Sequence, residues 1–237
     1  MKKSHTLNSN LKQKISSKKI RTLSSQLWLK RQINDIYVRA AKQEGYYSRS
    51  AYKLIEINNK YNILKPGDKV IDIGAAPGGW SQVASNIIFK KNLQGQLICI
   101  DLLAVNPVPH AEIITGDFTE VKVIEQIKAA MKGKANTIIS DIAPNTTGSK
   151  SLDHLRIMNL VELSFNFAKE VLADHGTLVA KVFQGGTGNT LLAMIKQHFQ
   201  NVHHFKPPAS RKESNEIYLI ARGFKGNRFL EDTSLKG

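Results

Sequence analysis

A single cysteine, Cys99, stands in 237 residues. That excludes a disulfide scaffold and argues against cysteine-built metal sites. No apolar run approaches the roughly 20 residues of a membrane-spanning helix. Acids are scarce: 19 Asp and Glu oppose 34 Lys and Arg, for a formal charge of +15. None precedes Asp35, while nine basic residues do: Lys2, Lys3, Lys12, Lys14, Lys18, Lys19, Arg21, Lys30 and Arg31. What is present in quantity is hydrophobic residue, 41 %, enough for an ordinary core. These counts describe a globular protein of a reducing compartment, expected in the cytoplasm, with an affinity for polyanions.

Three stretches are expected. Residues 1–34 form a basic arm without a packed core at its start, suited to phosphate contacts. A solvated tail and a transit peptide, equally basic and acid-poor, remain open for it. Residues 35–225 carry the folded domain, and 226–237 a frayed end. A helical pattern begins near Trp28 and continues through Ile36, Tyr37, Ala40 and Ala41; a second runs from about Ser50 to Tyr61. Short apolar runs follow: Lys69–Gly74, Gln96–Asp101, Ala111–Thr115, Thr137–Asp141 and Thr177–Phe183, then runs near Asn201–Phe205 and Glu216–Ala221. Helical segments separate them at Trp80–Lys90, Thr119–Met131, Leu155–Leu172 and Asn189–Phe199. Such alternation predicts a doubly wound α/β fold with a mainly parallel sheet.

The first strand runs into Asp72-Ile73-Gly74-Ala75-Ala76-Pro77-Gly78-Gly79-Trp80. Small residues between a strand and a helix let a ligand approach the backbone and the helix N-terminus. The spacing is neither G-x-G-x-x-G nor a P-loop, and a plain tight turn is the alternative. Asp101, Asp117 and Asp141 then end or follow three successive strands. Each alone could be a cap or turn residue. Together, after a glycine-rich turn, they point to an adenosine-type cofactor, with Asp101 placed for ribose hydroxyls and Asp117 for an adenine amino group. Lys181 interrupts the apolar Leu178-Val179-Ala180-Lys181-Val182-Phe183. A lysine there is costly to bury unless paired or neutral. An edge charge or a snorkelling side chain are the alternatives; a base of altered pKa is the functional reading. Lys53 and Glu216, taken singly, read as surface charges, and His154, His203 and His204 as surface or turn residues.

Taken in order, Tyr47–Leu54, Gly74–Gln82, Cys99–Leu103, Gly116–Phe118, Ser140–Asn145, Lys181–Gly185, Ser210-Arg211 and Glu216–Tyr218 resemble the RrmJ/FtsJ family of S-adenosylmethionine-dependent RNA ribose 2′-O-methyltransferases. The resemblance spans about Arg21 to Phe224. It implies a Rossmann-like, seven-stranded sheet with an antiparallel last strand. It implies a Lys-Asp-Lys-Glu tetrad falling on Lys53, Asp141, Lys181 and Glu216, and cofactor contacts on Gly78, Trp80, Asp101, Asp117 and Asp141. Residues Ser24–Lys53 look like the bacterial large-subunit rRNA branch. The implied substrate is a uridine of 23S RNA, within an assembled particle. A monomer is expected, and no metal is needed, because the leaving group is a neutral thioether and no His/Cys cluster stands in the sequence. A tRNA anticodon-loop methyltransferase and a catalytically dead assembly factor are the alternatives; a nicotinamide dehydrogenase is opposed by the missing fingerprint. Arg49, Arg156, Arg211 and Lys212 are the expected phosphate contacts outside the arm.

Overall fold

The computed structural model describes residues 35–90, 94–144, 147–185 and 188–226. The expected arm, the helical pattern before Asp35 and the tail from 227 onward lie outside the described residues. Strands β1 (Lys69–Ile73), β2 (Gln96–Asp101), β3 (Ala111–Thr115), β4 (Ala135–Ser140), β5 (Leu172–Phe183), β6 (Phe199–Phe205) and β7 (Glu216–Phe224) form one sheet in the order β3-β2-β1-β4-β5-β7-β6. The pairs from β3 to β5 are parallel, and β7 is antiparallel to both β5 and β6. The helices are α1 (Ile36–Glu44), α2 (Ala51–Tyr61), α3 (Gly79–Ile88), α4 (Val121–Ala130), α5 (Lys150–Val171) and α6 (Asn189–His198).

Alternation along the strands assigns the two faces. Ile71, Ile73, Ile138, Leu178, Ala180 and Val182 pack with Val123 and Ile127 of α4, Phe165 and Ala168 of α5, and Ile195 of α6. Val70, Cys99, Ile139, Val179, Tyr218 and Ile220 pack with Leu54 and Ile57 of α2 and with Trp80, Val83 and Ala84 of α3. Lys181 shares the parity of Val179, so it faces α2 rather than α5. Strand β5 is longer than its apolar run, starting at Leu172, where α5 ends. Its five extra residues, Leu172 to Gly176, include the polar Asp174 and His175 at a register shift against β4, with His175 at φ 65°, which interrupts the apolar signal.

Helix α1 begins where Asp35 accepts from the backbone N–H groups of Tyr37 and Val38 at 3.0 and 3.4 Å, an N-cap. It stops at Gly45, whose φ of 77° suits glycine. Strand order reverses between β1 and β4. The crevice at their carboxyl ends is where ligands bind in open α/β sheets. Because β7 runs against its neighbours, its first residue, Glu216, arrives at that same edge, in register with Phe183.

Candidate active site

At the carboxyl end of β1, the turn from Gly74 to Gly79 passes through a cis Ala76–Pro77 peptide. Gly74 has φ 74°, and a Cβ there would meet Ile142 Cα at 2.8 Å. The β1 turn and the segment after β4 therefore touch, and only glycine permits it. Gly78 has φ 116° and opens α3 without a side-chain cap, so the N-cap residue supplies no side-chain acceptor to the first N–H groups of the helix. Asp101 binds this turn from β2: its Oδ2 accepts from Ala76 N at 2.8 Å and its Oδ1 from Leu103 N at 2.8 Å. A carboxylate has about four acceptor sites, so two remain for a diol. Leu102 and Leu103 beside it are 66 % and 69 % exposed, an apolar ledge at a strand end.

Two sequence-expected cofactor residues stand differently. The side chain of Trp80 is buried, donating Nε1–H to Ser50 O at 2.8 Å and packing its ring 5.4 Å from Tyr218. It braces α2 against α3, and its indole is not available to a ligand. Asp117 Oδ1 accepts from Thr119 N and Oγ1 at 2.9 and 2.7 Å, a local turn bond that leaves Oδ2 for an outside donor.

The four tetrad positions come together. Lys181 Nζ lies 2.8 Å from Asp141 Oδ1, donates to Asp141 O at 2.7 Å, and lies 3.6 Å from Glu216 Oε1. Lys53 Nζ donates to Glu216 Oε2 at 3.1 Å and lies 3.9 Å from Asp141 Oδ1. Tyr218 donates its hydroxyl to Asp141 Oδ1 at 2.5 Å, and Lys53 Nζ stands 5.7 Å from its ring centre. Both lysines are buried. Two ammonium and two carboxylate groups make a neutral cluster, which is how such charges persist away from water.

Burial pushes Asp141 and Glu216 upward, but Lys181 and Lys53 outweigh it and hold both carboxyls below their ordinary values of 3.8 and 4.5. Burial pulls Lys181 down, and Asp141 with Glu216 overcome it, raising the amine above 10.5. Lys181 is thus an ammonium in the resting cluster. Burial beside Asp141 raises the Tyr218 phenol well above its usual value.

Two residues of this face carried weaker sequence signals. Tyr218 belongs to the same strand face as Glu216, two residues on, and the period of a strand was the available signal. Asp72 sits inside Val70-Ile71-Asp72-Ile73, as anomalous as Lys181 in its own strand. It is wholly buried, accepts from Ser81 Oγ at 2.6 Å, and its Oδ1 has no hydrogen-bond partner. Burial, with smaller contributions from Asp141 and Asp101, pushes its carboxyl up to about 7. Its neighbour in register, Cys99, has its thiol pushed up to about 12 by burial and by Asp72, which makes it inert.

Arg49, expected to meet phosphate, is instead largely internal. It pairs with Asp35 at 3.0 Å and donates to Ala209 O at 2.5 Å, while Arg211 also reaches Asp35 at 3.5 Å. Glu56 accepts from Ala209 N at 2.7 Å. These contacts tie the loop before β7 to α1 and α2, and so fix Glu216 relative to Lys53. No group of His, Cys, Asp and Glu among the described residues could hold a metal ion.

The profile of the FtsJ-like methyltransferase family matches residues 46–224. The chain belongs to this family. Its relatives include proteins named ribosomal RNA large subunit methyltransferase E. That of Gluconobacter oxydans is 49 % identical over 213 residues, covering 90 % of this chain and 78 % of the relative. That of Brucella ovis is 50 % identical over 203 residues, covering 86 % and 85 %. Among solved structures, a Plasmodium falciparum protein assigned as a ribosomal RNA methyltransferase superposes with a TM-score of 0.68 at 33 % identity, covering 77 % of this chain and 100 % of that one. The tetrad and the glycine turn of this FtsJ-like chain lie within the matched span. No described helix is long and apolar enough to cross a membrane.

Proposed function

We propose that this FtsJ-like chain transfers the methyl group of S-adenosylmethionine to a ribose 2′-hydroxyl of large-subunit ribosomal RNA, at a uridine, acting in the cytoplasm as a monomer. The observation that carries the reading is the tetrad: an ammonium, Lys181 Nζ, held 2.8 Å from Asp141 Oδ1 and 3.6 Å from Glu216 Oε1, beside the glycine turn. The names of relatives near 50 % identity support the ribosomal substrate. The site fits the cofactor, because Asp101, already bound to Ala76 N and Leu103 N, retains acceptor capacity for a diol beside the exposed Leu102 and Leu103. Gly78 and the N–H groups opening α3 would hold the carboxylate end, Asp101 the ribose, and the backbone at Trp80 would line the path. Asp117 Oδ2 would take the adenine amino group, and Asp141 would border the methyl.

When bound, S-adenosylmethionine supplies an electrophilic methyl on a positively charged sulfur, and that charge opposes the ammonium form of Lys181. Lys181 holds the 2′-oxygen with a lone pair toward the methyl; its ammonium first releases a proton to water, and the neutral amine then receives the hydroxyl proton as the oxygen–methyl bond forms. Asp141 and Glu216 fix its amine by the contacts above, and Lys53 fixes Glu216. Tyr218, bonded to the same oxygen of Asp141 as Lys181, keeps that carboxylate from rotating away. The acceptor is a nucleotide splayed from a loop, the form in which a protein can single out one unstacked base. Lys212, Arg211 and Arg156 bear the phosphates, with the arm.

Labelled S-adenosylmethionine, incubated with isolated large subunits, naked rRNA and tRNA, tests the reading. Label on one uridine ribose of the large-subunit RNA is expected. Label confined to tRNA, or none above a Lys181→Ala control, refutes it.

A further inference from the structure

A nucleotide that presents its ribose to Lys181 must put its base somewhere outside the RNA stack, and unstacking costs a few kcal/mol unless a pocket receives it. One cavity lies beside the strand ends that carry Lys181 and Glu216. It has a volume of about 520 Å³ and is lined by Phe183 and Gln184 at the end of β5, Asn215 before β7, and Ser151, Asp153 and His154 at the start of α5. That volume is ordinary for a ligand site. Its walls are continuous with the catalytic groups. Phe183 is two residues beyond Lys181 on the same strand face, Asn215 directly precedes Glu216, and Gln184 N donates to Asn215 O at 2.6 Å. Other clefts lie away from the tetrad, one around Asn62, Asn136 and Gln200, another along β3 by Gln126.

We propose that this cavity seats the base of the acceptor nucleotide, with the side-chain amides of Gln184 and Asn215 reading its Watson–Crick edge and Phe183 offering a stacking surface. Each amide carries a donor and an acceptor, the complement of an imide with one N–H between two carbonyls. Both amides are exposed in the absence of RNA, so their hydrogen-bonding groups are available. The opposite wall favours a base over a phosphate. The Asp153 carboxylate faces the cavity, its Oδ1 held by Thr147 N and Oγ1 at 2.7 Å each, and would repel a phosphate. Phe183 supplies the apolar surface suited to a ring. Gly185 lies close to this wall: a Cβ there would stand 3.9 Å from His154 Cε1. This assignment rests on the RNA methyltransferase reading, and adds to it where base identity is sensed.

The test compares the full-length protein with a Gln184→Ala/Asn215→Ala double variant. Both receive large-subunit particles carrying each of the four bases at the mapped acceptor position, under single turnover. Wild type is expected to favour one base by at least tenfold. The double variant is expected to bind S-adenosylmethionine within twofold of wild type by calorimetry, to fall at least tenfold in kcat/KM on the favoured base, and to show a base ratio below about threefold. A variant that retains the wild-type base ratio overturns the assignment, whatever its rate. A wild-type protein that labels no RNA refutes the underlying function instead. Phe183→Leu serves as a second variant should the double variant unfold by circular dichroism: abolished base discrimination supports the assignment, and a retained ratio overturns it.

Discussion

Replacing Asp72 by asparagine should make the protein less sensitive to alkali, by an amount the structure sets. Asp72 is wholly buried with one oxygen unpartnered, and its carboxyl rises from 3.8 to about 7. In the unfolded chain it ionises near 3.8; in the folded chain it keeps its proton to about 7. Between those values the folded state binds more protons, so stability falls as the pH rises. At 1.36 kcal/mol per pH unit the full penalty is about 4 kcal/mol above pH 7. Of this, roughly 2–3 kcal/mol accrues between pH 5 and 8. The side-chain amide introduced by Asp72→Asn is neutral throughout and keeps a partner in Ser81. Urea unfolding of both proteins at half-unit steps from pH 5 to 8.5 measures the difference. The variant should gain roughly 2–3 kcal/mol on wild type across that range. Parallel stability curves would mean that Asp72 ionises in the folded protein near its ordinary value, and the argument from burial would fail.

Other perturbations bear on the site. Lys181→Ala should slow methyl transfer by roughly 10²–10⁴-fold with S-adenosylmethionine affinity within a few-fold; Lys181→Arg should not restore it, because a guanidinium cannot accept the proton. An Arg variant above about a tenth of wild-type single-turnover rate would show that charge alone suffices. Because Asp141 and Glu216 are held below 3.8 and 4.5, their stabilising contribution is present above those values and disappears as the pH falls through the lowered ones; a Lys181→Met variant should flatten this acid limb in thermal unfolding, and an unchanged limb would deny the pairing. Asp101→Ala should weaken S-adenosylmethionine binding by about 1.5–3 kcal/mol, read by calorimetry, with unchanged affinity excluding a cofactor role. Deleting residues 1–19 removes six lysines and should make RNA binding less salt-dependent, the log–log slope becoming shallower by up to roughly 0.7–0.9 for each phosphate no longer neutralised; an identical slope would mark the segment as a bystander.

Much of the fold was legible in the residues. The strand runs and the helices between them lie close to their expected positions because buried parallel strands are nearly continuous apolar runs. Lys181 stands out as a charge among apolar neighbours. Asp72 meets the same criterion, yet it lies two residues before the glycine turn, where an acid also reads as part of the turn. Asp101 was legible as the end of a strand, and the structure places it there, bound to the glycine turn. Lys53 and Glu216 do not, since a helix residue and a strand's first residue become neighbours only through an antiparallel strand that no local pattern specifies; resemblance supplied them. The fate of Arg49 and Trp80 was hidden for a related reason. Whether a long side chain turns to solvent or into the packing between α1, α2 and the β6–β7 loop depends on contacts distant in sequence, such as Ala209, 160 residues away.

The place of β7 has a consequence for the order in which the protein comes into being. It is the last described strand in the chain, yet it lies between β5 and β6. Until residues 216–224 have left the ribosome, β5 and β6 each present an unpaired edge, and the cluster around Lys181 lacks both Glu216 and Tyr218. Insertion of one strand closes two ladders and completes the charge balance in the same event. A nascent or truncated chain ending before Glu216 would hold two like-charged lysines against one carboxylate, with bare strand edges prone to foreign pairing. Sheet closure and assembly of the four-residue charge cluster thus coincide.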